Sequence, residues 1–114
     1  MKSTKIILLI LGVLFSYNSF AQISITVTGN TNTTPNLAAS YTSLANAVTA
    51  LNTVTALSGP VTFNLAAGGT ENSTAQLAIT LSGNINFPIT FQKSGAGVNP
   101  KLTRTDAGTN TGRY

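Results

Sequence analysis

The sequence predicts a mainly β fold with one short helix, and three observations carry that prediction. Between Gly59 and Gln92 lie three apolar alternations, Val61-Phe63-Leu65, Leu77-Ile79-Leu81 and Ile89-Phe91, separated by Gly, Asn, Ser and Thr. Strand side chains alternate faces, so each run collects its large residues on one side and Thr, Asn or Ala on the other. One stretch only, Tyr41 to Asn52, changes to a helical period. Charged residues make up 7% of the chain, and Thr, Ser, Asn, Gly and Ala take their place. That composition suits an extracellular β-protein with a hydroxyl- and amide-rich surface.

The 114 residues leave room for one small domain at most. Residues 1–21 have the form of a secretory signal. Lys2 and Lys5 precede an apolar run from Ile6 to Phe15, and Ser19-Phe20-Ala21 places small residues at the −3 and −1 positions of a cleavage site. The run is well short of the ~20 apolar residues that a membrane span needs, so no stable span is expected after cleavage. The exported chain would keep Lys93, Lys101, Arg104 and Arg113 against Glu71 and Asp106. Four scattered cations make no nucleic-acid groove. The chain has no Cys, so no disulfide staples it.

Residues 22–40 read as an N-terminal strand and loop. Ile23 to Thr28 alternates cleanly, and Gly29 to Asn36 is loop by composition. In the helical stretch, Tyr41, Leu44, Ala45, Val48 and Leu51 share one face, with Thr42 or Ser40 as N-cap. Gly59-Pro60 stops it. Val61 to Leu65 is then a strand that ends at Ala66-Ala67-Gly68-Gly69, a bend requiring positive φ. Leu77 to Leu81 is a second strand. Ile89 to Gln92 is a third, with Pro88 just ahead of it, and Lys101-Leu102-Thr103 begins another. Ser82-Gly83-Asn84 could close a hairpin within a small antiparallel sandwich. Alternatively, the strands are rungs of a solenoid. Local pattern leaves both open.

Three segments, Tyr41 to Val48, Gly59 to Gly68, and Pro88 to Gly97 followed by Asn99-Pro100, resemble the N-terminal region of right-handed parallel β-helix proteins of the pectin-lyase-like kind. More narrowly, they are similar to large exported surface proteins of Gram-negative bacteria. The resemblance covers about Tyr41 to Leu102, and the absence of an aromatic between Thr70 and Glu71 departs from it. It implies a cap helix and the first coils of a right-handed parallel β-helix over residues 41–114, apparently truncated. The chain is accordingly expected to be a truncated product or a piece of a longer protein.

Chemistry-bearing residues are sparse. With no His and no Cys, Ser-His-Asp and Cys-His catalysis are excluded within the chain, and a zinc site is not expected. Glu71 and Asp106, the only acids, are expected to be solvated loop residues rather than a glycosidase pair. Asp106 with Asn110 falls far short of a calcium site. Lys93, Lys101 and Arg104, weighed as lyase-type bases, read as solubilising charges. Gly95-Ala96-Gly97 opens no helix and lacks a following Lys-Ser/Thr, so it is no phosphate loop. Tyr41 is expected to pack beneath the helix rather than to stack on a sugar.

The expected catalytic, cofactor-binding and metal residues are therefore none. The expected function is the non-catalytic, capped start of an extracellular β-helix of the surface or adhesion type. Its partner would be a surface polysaccharide or a host or cell-surface glycan, bound through missing coils. The alternatives are the lead-in of a β-helix polysaccharide lyase or hydrolase whose catalytic coils are missing, and a small secreted self-assembling β protein.

Overall fold

The computed structural model describes residues 21–105; the expected leader up to Phe20 and the tail with Asp106 and Asn110 lie outside the described residues. The fold is mainly β with one α-helix and open sheets. In chain order come β1 (Ile25–Thr28), a 3-10 turn (Asn30–Asn32), β2 (Thr33–Thr34), β3 (Ser40–Tyr41), α1 (Leu44–Leu51) and β4 (Ala56–Leu57). They are followed by β5 (Val61–Ala66), β6 (Thr70–Ser73), β7 (Ile89–Ser94) and β8 (Lys101–Arg104). The main sheet has the order β3-β1-β5-β7, and two two-stranded sheets join β2 to β4 and β6 to β8.

β1 runs antiparallel to both of its neighbours, β3 and β5. Its alternation behaves as the sequence predicts: Ile25 and Val27 are buried while Thr26 and Thr28 are exposed. They join Ile23, Leu51, Val61 and Phe63 in the core. Gly29 makes the corner after β1. It has φ 75°, and a Cβ there would strike the Pro60 carbonyl oxygen, so only glycine fits.

α1 is shorter than the period suggests. It starts at Leu44, because Tyr41 belongs to β3 and Ser43 is the N-cap in place of Thr42 or Ser40. Ser43 has extended backbone angles, and its Oγ accepts the Asn46 N–H at 3.0 Å. The helix buries Ala47, Val48 and Leu51. Tyr41 packs against the core as expected, and its hydroxyl accepts the Ala38 N–H at 2.9 Å.

The chain then passes twice along the same route. β5 and β6 are joined by a turn at residues 67–69, β7 and β8 by a longer one at 95–100. β7 lies parallel to β5, and β8 lies parallel to β6. In register, Val61 faces Ile89, Thr62 faces Thr90, Phe63 faces Phe91 and Asn64 faces Gln92. These are pairs of like chemistry, and Pro60 to Gly69 reads as a first copy of Pro88 to Gly97. The Phe63 and Phe91 rings stack with centroids 4.7 Å apart and planes 10° from parallel. On the opposite face Gln92 Nε2 donates to Asn64 Oδ1 at 2.7 Å. The first turn uses Gly68 at φ 72° and the second uses Gly95 at φ 77°, as the Ala-Gly bend requires.

Leu77 to Leu81 corrects an expectation. Its alternation is real, but the segment pairs with no strand. Instead the side chain of Asn52, just past α1, holds it: Asn52 Nδ2 donates to the Ala78 carbonyl at 2.8 Å and Asn52 Oδ1 accepts the Thr80 N–H at 2.9 Å. Nor does Ser82-Gly83-Asn84 close a hairpin. Asn84 Oδ1 accepts the N–H groups of Asn86 and Phe87, both at 2.9 Å, in a local side-chain turn.

Candidate functional site

Two places gather groups that the sequence leaves scattered. The first is a closed junction around Glu71 on β6. Its side chain is 4% exposed, which overturns the expectation of a solvated acid. Oε2 accepts the N–H of Leu44 at 2.7 Å and of Ile23 at 3.1 Å, and Oε1 accepts the N–H of Ala45 at 3.0 Å. The physical reason is supply and demand of hydrogen bonds. A helix leaves its first N–H groups without partners. Here Glu71 takes those of Leu44 and Ala45, and Ser43 Oγ takes that of Asn46. A carboxylate at this end also meets the positive pole of the helix dipole. With both oxygens accepting backbone N–H groups, Glu71 clamps β6 to the start of α1 and to Ile23.

The second place, beside the first, is an open apolar trough of about 250 Å³. Leu44 and Val48 of α1 form one wall and Leu65 and Phe91 form the floor. Leu77 and Ile79 of the clamped segment, with Leu102 of β8, complete the lining. Ile79 stays 49% exposed and Leu102 42% exposed. Such a surface can bury apolar side chains.

The weighed cations lie on β7 and β8. Lys93, on β7, donates from Nζ to the Gly97 carbonyl at 2.8 Å. Lys101 and Arg104 are exposed at the two ends of β8. Gly95-Ala96-Gly97 lies in the turn between β7 and β8, with no helix after it among the described residues. Among the described residues, no three His, Cys, Asp or Glu side chains gather into a metal-binding group. Among them, too, no helix is long and apolar enough to cross a membrane.

Sequence reasoning missed the Glu71 clamp, because its partners lie 26 to 48 residues away. It also missed the trough, although a signal existed in the near-repeat of Pro60 to Gly69 at Pro88 to Gly97. No family model, no curated protein and no solved structure matches the chain. The β-helix resemblance therefore has no support from any relative.

Proposed function

We propose that this chain is the non-catalytic, capped N-terminal start of an extracellular right-handed parallel β-helix that serves surface display or adhesion. The observation that carries the reading is the double passage: β5 then β6, followed by β7 then β8, with both pairs parallel. Each passage is one coil in this reading, and the strong preference for right-handed crossovers supplies the hand. β1 and α1 serve as the cap, with Glu71 fastening the helix to the first coil. Cap elements of this kind cover rungs that would otherwise face water.

The extracellular part rests on the leader-like residues 1–21 and on a surface of Thr, Asn and Gln. The non-catalytic part rests on Glu71 being spent on backbone donors. The partner class is a surface polysaccharide or a host or cell-surface glycan, met through coils beyond these two.

The test uses the protein in its native cells. Antibody against residues 22–105 should detect an exported, protease-accessible species whose N-terminus is Gln22. The purified species should bind polysaccharide without shortening it. A cytoplasmic species that keeps residues 1–21, or one that depolymerises the bound glycan, overturns the proposal.

A further inference from the structure

Leu77 to Leu81 has one ladder place filled by a side chain. In a parallel pair, a bonded residue donates to the carbonyl just before its opposite number and accepts the N–H just after it. Asn52 makes this same pair of bonds with its amide. Nδ2 donates to the Ala78 carbonyl at 2.8 Å, and Oδ1 accepts the Thr80 N–H at 2.9 Å. The amide therefore stands level with Ile79, where a residue of a neighbouring strand would stand. The last turn of α1 sets its position: the Asn52 N–H donates to the carbonyls of Val48 and Ala50, and the Thr53 N–H donates to that of Ala50.

Three observations say what competes for this place. First, Gln76 to Ser82 holds two Leu and one Ile with no charge, no Pro and no Gly. Segments of that kind pair with copies of themselves when their edges are free. Second, the pattern is symmetric about Ile79. An antiparallel pair centred there sets Leu77 opposite Leu81 and Ala78 opposite Thr80. Such a pair exchanges N–H and carbonyl groups between Ala78 and Thr80, so it needs the same two groups that Asn52 holds. Third, the cover is thin. Asn52 is exposed and Ile79 is 49% exposed. Among the described residues, no strand lies in a ladder with the segment.

We propose that Asn52 keeps this edge of Leu77–Leu81 from pairing with a second copy of the chain, and that its release turns the segment into a dimerisation strand. Two copies join antiparallel across a two-fold axis at Ile79, a self-complementary contact of the isologous kind. Strand edges that could pair are commonly blunted by charge, Pro or a covering element; here one amide at the end of α1 does so. The inference goes beyond the proposed function and does not rest on it, since it needs only the segment and its latch.

The test compares variants of the exported chain by sedimentation velocity over a range of concentrations, with hydrogen exchange at Thr80. Asn52→Ala should self-associate about tenfold more tightly than the unaltered chain, as the edge loses its cover. Its Thr80 N–H should exchange fast when dilute and slowly when concentrated. Ser43→Ala loosens the other end of α1 but leaves Asn52 in place, and should associate no more than the unaltered chain. Adding Thr80→Pro to Asn52→Ala removes the donor that the pair exchanges, and should return association to the starting level. Four results would each overturn the inference. They are an Asn52→Ala chain that keeps its β-structure and associates no more tightly, equal association of Ser43→Ala, undiminished association of the Thr80→Pro double variant, and a dimer in which Thr80 stays unprotected. Loss of β-structure in Asn52→Ala would overturn it too, because the amide would then be holding the fold rather than guarding an edge.

Discussion

Two adjacent strands of the main sheet, β5 inside it and β7 at its edge, use nearly the same residues and reach opposite outcomes. Phe63 and Phe91 are ladder partners, and so are Val61 and Ile89. Yet Phe63 and Val61 are completely buried, whereas Phe91 and Ile89 are only half-buried. The difference is the neighbour on the far side. β5 has β1 beside it, with Val27 level with Phe63 and Ile25 level with Leu65. β7 has a trough. In a stack of strands, burial belongs to the position between two neighbours rather than to the residue that occupies it.

That contrast can be broken most severely at Phe63. Phe63→Ala should cost about 4 kcal/mol, the usual range for a buried aromatic, read as a fall in the urea midpoint. The matching Phe91→Ala should cost about half as much. Equal losses would show that β5 and β7 are covered alike in solution. The next largest effect is expected at the clamp. Glu71→Ala leaves the N–H groups of Ile23, Leu44 and Ala45 without their acceptor, at about 3 kcal/mol, and should speed hydrogen exchange at Leu44 and Ala45 while sparing β7. Leu44→Asp sharpens the comparison from the helix side. It places a charge where α1 meets the trough and should reduce both solubility and β-content.

Smaller effects probe single bonds. Ser43→Ala should cost about 1 kcal/mol as a lost N-cap. Asn52→Ala should cost about 1 kcal/mol through its two hydrogen bonds, with proteolysis beginning within Leu77 to Leu81. If that segment stayed protected, its apolar contacts rather than Asn52 would be what holds it.

How much of this was legible in the sequence differs by element. β5, β7 and β8 follow from alternation and Gly-Pro punctuation, because a strand with one buried face must show period two. α1 follows from its helical period, but its start does not. Ser40, Thr42 and Ser43 are all capable caps, and only the backbone angles at Ser43 select it. Leu77 to Leu81 shows the limit of alternation. Its leucines do turn inward, but a ladder needs a partner strand, and the partner here is one amide side chain. Glu71 is the plainest failure: a lone acid after Gly-Gly-Thr carries no local sign of helix N–H groups that tertiary folding brings to it. As for the candidate site, the trough exists only where two passages of the chain align, and the 28-residue spacing of Asn64 and Gln92 is what brings them level.

The Glu71 clamp also sets an order of events. It ties Ile23, near the start of the described chain, to a side chain 48 residues later. Contacts that span long loops form late, since closing the loop costs entropy before any contact is gained. A polypeptide made from its N-terminus would present β1 early, with only the two-residue β3 close behind it in sequence. One side of β1 must wait for β5, and the Ile23 N–H must wait for Glu71. The lid of this structure is thus the first part to be made and among the last to close.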